Sequence, residues 1–190
     1  MKKISVELHL IWILPMIDQR LKMTIRDIPD FPKKGVVFKD ITPLLKDPEL
    51  CNAILDSFVK RLDPDAIDAV AGIESRGFLF GLMLANRLGV PFVPIRKQGR
   101  LPYKTVTQAY KLEYGEAIIE IHEDAFPKGA RVLIHDDLLA TGGTVEAASN
   151  LVQQLGGVVA GYAFVINLDF LGGKHRLMRY NSSVISLVDY

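Results

Sequence analysis

The chain predicts an α/β fold, a parallel sheet flanked by helices, and two stretches of its sequence carry that expectation. In the first, the apolar run Val132-Leu133-Ile134 leads through His135 to two adjacent carboxylates, Asp136 and Asp137. A loop of small and hydroxyl residues follows, Ala140-Thr141-Gly142-Gly143-Thr144. Val145, Ala148, Val152 and Leu155 then fall on one helical face, Gly156-Gly157 stops the helix, and Val158 to Ile166 reads as a strand. In the second stretch, the strand-like run Ala69 to Ile73 ends in Glu74-Ser75-Arg76-Gly77. An apolar helix from Phe78 to Leu88 closes at Gly89, and Pro91 to Ile95 is again strand-like. Two strand–loop–helix–strand units imply a parallel sheet with right-handed crossovers. Both polar loops then leave the carboxyl edge of the sheet, where open α/β sheets bind ligands.

The remaining elements follow in chain order. Lys2-Lys3 and the apolar run Ile4 to Leu14 loosely resemble a signal peptide. Glu7 and His9 interrupt that run, no small-x-small site follows, and it is too short to span a membrane. An upstream start ahead of Met16 or Met23, or a helical extension packed on a neighbouring subunit, are the preferred readings. Ile25 to Leu45 carries three prolines near Phe31 and Phe38, so an irregular cap over one end of the sheet is expected. Asp47-Pro48 opens a helix to Leu62 with Leu50, Ile54 and Phe58 on one face, and Cys51 within it reads as a buried thiol. Lys97 to Lys111 is polar, contains Gly99 and Pro102, and reads as an exposed mobile loop or hairpin.

Composition narrows the function classes. A chain of 190 residues holds one core and is short for two domains. With 49% hydrophobic and 24% charged residues it has the balance of an ordinary globule. A net charge of +1 argues against a general nucleic-acid binder, and the single cysteine excludes an intramolecular disulfide. His9, His122, His135 and His175 lack metal-ligand spacing. A P-loop NTPase is excluded, because Gly172-Gly173-Lys174 lacks the earlier glycine of that motif.

The loop after the diacid has a legible chemistry. Gly142 and Gly143 allow close approach of a ligand to the backbone, Thr141 and Thr144 add hydroxyls, and the helix behind offers free N–H groups. These make a phosphate cradle. The two carboxylates would repel a phosphate, so they suit sugar hydroxyls or Mg²⁺. A phosphate site beside a diol site suggests a phosphorylated sugar; a strand end with a polar turn is the bland alternative. Glu74-Ser75-Arg76, between Gly72 and Gly77, could hold an anion or be a solvated surface turn.

The run Val132 to Thr144 closely resembles the phosphoribosyl-diphosphate (PRPP) binding motif of the type I phosphoribosyltransferases. Five further stretches are similar to the adenine phosphoribosyltransferases within that family. They are Ile28-Pro29-Asp30-Phe31-Pro32, Gly35-Val36-Val37-Phe38-Lys39-Asp40-Ile41-Thr42, Glu74-Ser75-Arg76-Gly77-Phe78, Arg96-Lys97 and Leu112-Glu113-Tyr114-Gly115. Their shared order makes the resemblance specific. Three positions depart from it: His135 where a fourth aliphatic residue is expected, Lys39 where arginine is common, and Arg100 where lysine is usual. The resemblance begins near Met16, leaving residues 1–15 as an N-terminal extension and 16–190 as a single phosphoribosyltransferase domain.

This resemblance implies the type I phosphoribosyltransferase fold: a parallel sheet of about five strands with a small N-terminal hood. It also implies purine salvage, in which adenine and PRPP give AMP and pyrophosphate with Mg²⁺. Asp136 and Asp137 would hold the ribose hydroxyls near the developing cation. Ala140, Thr141, Gly142, Gly143 and Thr144 would cradle the 5′-phosphate. Ser75, Arg76, Arg96, Lys97 and Arg100 would neutralise the leaving pyrophosphate. Glu113 would take or orient the proton at purine N7. Val37, Phe38, Lys39 and Leu168 would bind adenine. The stretch 97–111, including Lys104, would form a lid with Tyr114 at its return. No protein-only metal site is implied, Mg²⁺ entering mainly through PRPP and water. A cytoplasmic homodimer without nucleic-acid or membrane partners is the implied setting. The alternatives are a transferase for a 6-oxopurine and a non-catalytic regulator that binds PRPP or nucleotides.

Overall fold

The structure is a computed structural model that describes residues 16–111 and 115–190. The extension 1–15 and two expected site residues, Glu113 and Tyr114, lie outside the described residues. The chain forms two compact units, one reaching to Ile54 and one spanning Leu55–Tyr190.

The first unit contains α1 (Ile17–Thr24) and an antiparallel pair, β1 (Arg26–Pro29) and β2 (Val37–Asp40). The segment expected to be irregular is therefore a hairpin in part. Its prolines hide the strands from a sequence reading, yet each strand of a two-stranded ribbon has a free edge where proline forfeits no ladder bond. Asp27 lies opposite Lys39 in the register, and the lysine Nζ reaches its carboxylate at 2.7 Å. Phe31 and Phe38 meet edge to face with centroids 5.1 Å apart. Helix α2 (Pro48–Val59) opens as expected, with Asp47 accepting the Leu50 N–H at 2.9 Å, and it ends before Leu62. Cys51 is buried, its thiol donates to the Leu44 carbonyl at 3.3 Å, and burial pushes its pKa up.

The second unit is a seven-stranded sheet. Its strands are β3 (Ala69–Ile73), β4 (Phe92–Lys97), β5 (Thr105–Lys111), β6 (Glu116–His122), β7 (Arg131–Leu139), β8 (Val158–Asn167) and β9 (Val184–Asp189). The order is β5-β6-β4-β3-β7-β8-β9. The five strands from β4 to β9 are parallel, as expected. Strands β6 and β5 add an antiparallel edge, so of the two readings of 97–111 the hairpin holds for residues 105–111. Every residue of β3 is buried, the pattern of a parallel strand covered on both faces.

One face carries α4 (Gly143–Gln154), whose Val145, Ala148, Leu151 and Val152 join a core with Ala71, Ile73, Val132, Ile134 and Phe164. Against the other lies α3 (Gly77–Leu88), closed by Gly89 at φ 70°. A Cβ on its Gly81 would meet the rings of Phe92 and His135 at 3.0 and 3.2 Å. His135 is wholly buried there, edge-on to Phe58 at 5.7 Å. Burial pushes its imidazole down to about 4, with a partial offset from the Ala163 backbone. The histidine thus occupies an aliphatic position as a neutral ring. Helix α3 leads from β3 to β4 on one side, while α4 leads from β7 to β8 on the other. The strand order reverses between β3 and β7, and that reversal opens a crevice at their carboxyl ends.

Candidate functional site

The crevice is floored by the end of β7. That strand runs on to Leu139, so Asp136 and Asp137 are strand residues rather than part of the loop beyond. Asp137 is buried and Asp136 half-buried. The Asp137 N–H donates to Asp136 Oδ1 at 2.8 Å, and Arg76 Nε stands 3.0 Å from Asp137 Oδ2. Helix α3 starts so close to the strand that a Cβ on Gly77 would lie 2.9 Å from Asp136 Oδ1 and 3.0 Å from the His135 carbonyl oxygen. Burial and the neighbouring Asp137 charge push the Asp136 carboxyl well up. Burial also raises Asp137, against the pull of Arg76. Among the described residues Asp137 Oδ2 has no well-formed hydrogen bond. A buried acid pair in this condition favours a ligand that brings hydroxyl donors or positive charge.

The loop after β3 supplies the second wall. Glu74, rather than a basic residue, organises it: its carboxylate accepts Arg96 Nε and Nη2, both at 3.2 Å, and the Lys97 N–H at 3.0 Å. Burial alone would raise the Glu74 carboxyl, but these hydrogen bonds outweigh it and hold the group below its ordinary value. Arg96 Nη1 donates to the Arg100 carbonyl at 3.0 Å. Arg96 is therefore engaged in bracing two loops, a role the sequence reading did not assign it. Ser75 is exposed and follows a cis peptide bond. Lys97, Arg100 and Lys104 are exposed along 97–104. Glu120, absent from the expected site, is buried under that stretch and accepts the Arg100 and Leu101 N–H groups, both at 2.8 Å. A lone acid within the apolar run Ala117 to Ile121 was the available signal.

The loop 140–144 supplies the third wall. Gly142 adopts φ 79° immediately before α4, and its carbonyl accepts the Glu146 N–H at 2.8 Å. The first N–H groups of α4 have no intrahelical carbonyl to meet. Thr141 is exposed and Thr144 half-buried. Beside the helix start lies Arg176, also missed by the sequence reading, whose Nη1 pairs with Glu146 Oε2 at 3.1 Å. It shares a cavity of about 270 Å³ with Tyr110, Lys111 and Gly143. The half-buried Leu168 donates its N–H to the Leu139 carbonyl at 2.9 Å, which sets it at the end of β8 next to β7.

Of the four residues expected to bind the base, Val37, Phe38 and Lys39 belong to the first unit and Leu168 to the second. Val37 is half exposed, Phe38 is half-buried, and the buried Lys39 directs its Nζ to Asp27 within its own hairpin. Among the described residues no group of three His, Cys, Asp or Glu side chains could hold a metal, and no helix is long and apolar enough to cross a membrane.

Comparison with known proteins agrees with this geometry. The phosphoribosyl transferase domain family matches residues 44–181. The adenine phosphoribosyltransferase of Cytophaga hutchinsonii is 54% identical over 175 residues, covering 92% of this chain and 97% of the relative. The crystal structure of adenine phosphoribosyltransferase from Thermoanaerobacter pseudethanolicus superposes with a TM-score of 0.87 at 51% identity, covering 90% of this chain and 99% of that one. The Saccharomyces cerevisiae enzyme, complexed with an imino-altritol bisphosphate and adenine, gives a TM-score of 0.84 at 42% identity, covering 90% and 98%. With a buried diacid between two polar loops at one switch point, and with relatives of this similarity over nearly its whole length, the chain belongs to the adenine phosphoribosyltransferases.

Proposed function

We infer that the residues around the crevice divide the work of one reaction: transfer of the 5-phosphoribosyl group from PRPP to adenine, giving AMP and pyrophosphate. The observation that carries this reading is the buried acid pair Asp136–Asp137, flanked by Arg76 on one side and the Gly142–Gly143 helix start on the other. Ribose hydroxyls donating to the pair would compensate its charge, which also lies near the cation that develops as the C1–pyrophosphate bond loosens. The Ala140–Thr144 loop is assigned the 5′-phosphate. Ser75, Arg76, Lys97 and Arg100 are assigned the pyrophosphate, with Arg96 holding Glu74 and the Arg100 backbone beneath them. Glu113 is assigned the purine N7 proton and Tyr114 the lid return. Mg²⁺ would be held mainly through PRPP and water, and would supply neutralisation of the diphosphate charge. Base recognition is assigned to main-chain groups of Val37 and Lys39 and to the ring of Phe38, with Leu168 adding an apolar contact. The involvement of Lys39 Nζ with Asp27 supports a backbone role for this residue.

A homodimer in the cytoplasm is the proposed setting. Leu79, Leu82 and Met83 support it, forming an exposed apolar stripe at helical spacing on α3. Neither a 6-oxopurine transferase nor a non-catalytic regulator is favoured, since the relatives are adenine phosphoribosyltransferases. The test is incubation with PRPP, Mg²⁺ and a mixture of adenine, hypoxanthine, guanine and xanthine. AMP is the expected nucleotide; preferential formation of a 6-oxopurine nucleotide, or of none, overturns the reading.

A further inference from the structure

The proposed phosphate loop is supported from behind by α5 (Gly173–Leu177), a short helix to which the reaction above assigns nothing. A Cβ built on Gly173 would fall inside contact distance of the Ala140 carbonyl oxygen, and 3.1 Å from Leu139 Cγ and Cδ1. The approach is reciprocal: a Cβ on Gly142 would lie 3.0 Å from the Gly173 carbonyl oxygen and 3.4 Å from its Cα. Two backbones thus meet without side chains between them, one in the loop and one in α5. The adjacent Gly172 separates the two reasons for a glycine. It adopts φ 66° with open space around its Cβ position, so conformation demands it. Gly173 is helical, where alanine is the better residue, so space alone demands it. The obstructing group is a main-chain carbonyl, which cannot turn aside as a side chain would without carrying the loop with it.

We propose that Gly173 is a positioning residue for the 5′-phosphate: its missing side chain lets Ala140–Thr144 settle against α5 in the conformation that binds. This rests on the reading of that loop as the 5′-phosphate cradle. Lys174 holds α5 in place, its Nζ reaching Asp189 Oδ1 at 3.0 Å.

The test compares the full chain with Gly173→Ala and Gly172→Ala, measuring KM for PRPP and adenine, Kd for AMP and pyrophosphate, and Tm. Gly173→Ala should raise the PRPP KM and the AMP Kd about tenfold or more, while adenine KM and pyrophosphate Kd stay within about twofold. Gly172→Ala should lower Tm and leave the PRPP KM in place. A PRPP KM within about twofold of the parent in Gly173→Ala, or equal weakening of pyrophosphate, overturns the proposal. Thr144→Val tests the cradle separately: an unmoved PRPP KM there sinks the loop assignment whatever Gly173 does. Should Gly173→Ala fail to fold, Lys174→Met loosens α5 from the surface and should raise the PRPP KM about two- to threefold; an unmoved value overturns the proposal.

Discussion

The two loops that meet at the switch point are held in opposite ways. Residues 74–77 are fixed by charged side chains: Glu74 grips Arg96 and the Lys97 amide, and Arg76 faces Asp137. Residues 140–144 are fixed by backbone, through Gly142 at φ 79° and the close approach to Gly173. In the proposed reaction the difference has a purpose. Pyrophosphate departs, and charged side chains can exchange it for one another. The 5′-phosphate stays on the ribosyl group throughout, so a preset cradle avoids reorganisation during the step. Four expectations break or sharpen this contrast.

The largest effect belongs to the acid pair both loops flank. Asp136→Asn with Asp137→Asn should lower turnover by about two orders of magnitude or more, roughly 3 kcal/mol of transition-state stabilisation. Thermal stability should hold or rise. Both carboxyls are pushed up by burial, so their contribution is present below the unfolded-state value and lost as pH rises through the folded one. Near-normal turnover refutes the assignment.

Next comes Arg76, the side chain that ties the first loop to the acid pair. Arg76→Met should weaken pyrophosphate by about tenfold, some 1.4 kcal/mol, and AMP by less, as titration calorimetry with each ligand would show. Equal losses for both would mean that the first loop does not specialise in pyrophosphate.

A smaller effect is expected from Glu74→Gln, about three- to tenfold on pyrophosphate, the scale of one ordinary hydrogen bond. Glu74 is held below its ordinary value, so its stabilisation is present above the unfolded-state value and lost as pH falls through the folded one. The stability difference between parent and variant should therefore shrink in acid. A difference independent of pH would show that the carboxylate charge does not hold the loop.

The smallest effect on catalysis belongs to His135, buried beneath the site. His135→Val should leave kcat/KM within about twofold but alter the acid limb of stability. The folded ring titrates at about 4 against an ordinary 6.5, so the unfolded chain takes up the proton first. Stability is lost as pH falls through that window, by about 3 kcal/mol in full. Denaturant titrations from pH 7 to 4 should show a smaller fall in the valine variant; parallel curves would mean that the ring is not the source.

Much of this was legible before the structure. Apolar runs of strand length located β3, β7 and β8, and Gly89 and Gly156 marked helix ends that adopt φ 70° and 79°. The acid pair and the loop beyond it were visible because their residues are adjacent in the chain. Glu120 was not read as part of the site, because its partners at Arg100 and Leu101 are set by strand pairing. The β1–β2 hairpin was hidden by Pro29 and Pro32, whose local preference says nothing of a free ribbon edge.

The sequence by itself determined the fold class, the two crossover units and the sheet edge from which both loops leave. Periodicity records which faces of an element are buried, and neighbouring residues stay neighbours in any fold. Only the tertiary structure decided that Arg96 braces Glu74, that His135 sits as a neutral ring beside Phe58, and that Gly173 must be bare. Those facts depend on the register of strands far apart in the chain. A glycine required by a distant carbonyl carries the same letter as one required by a turn.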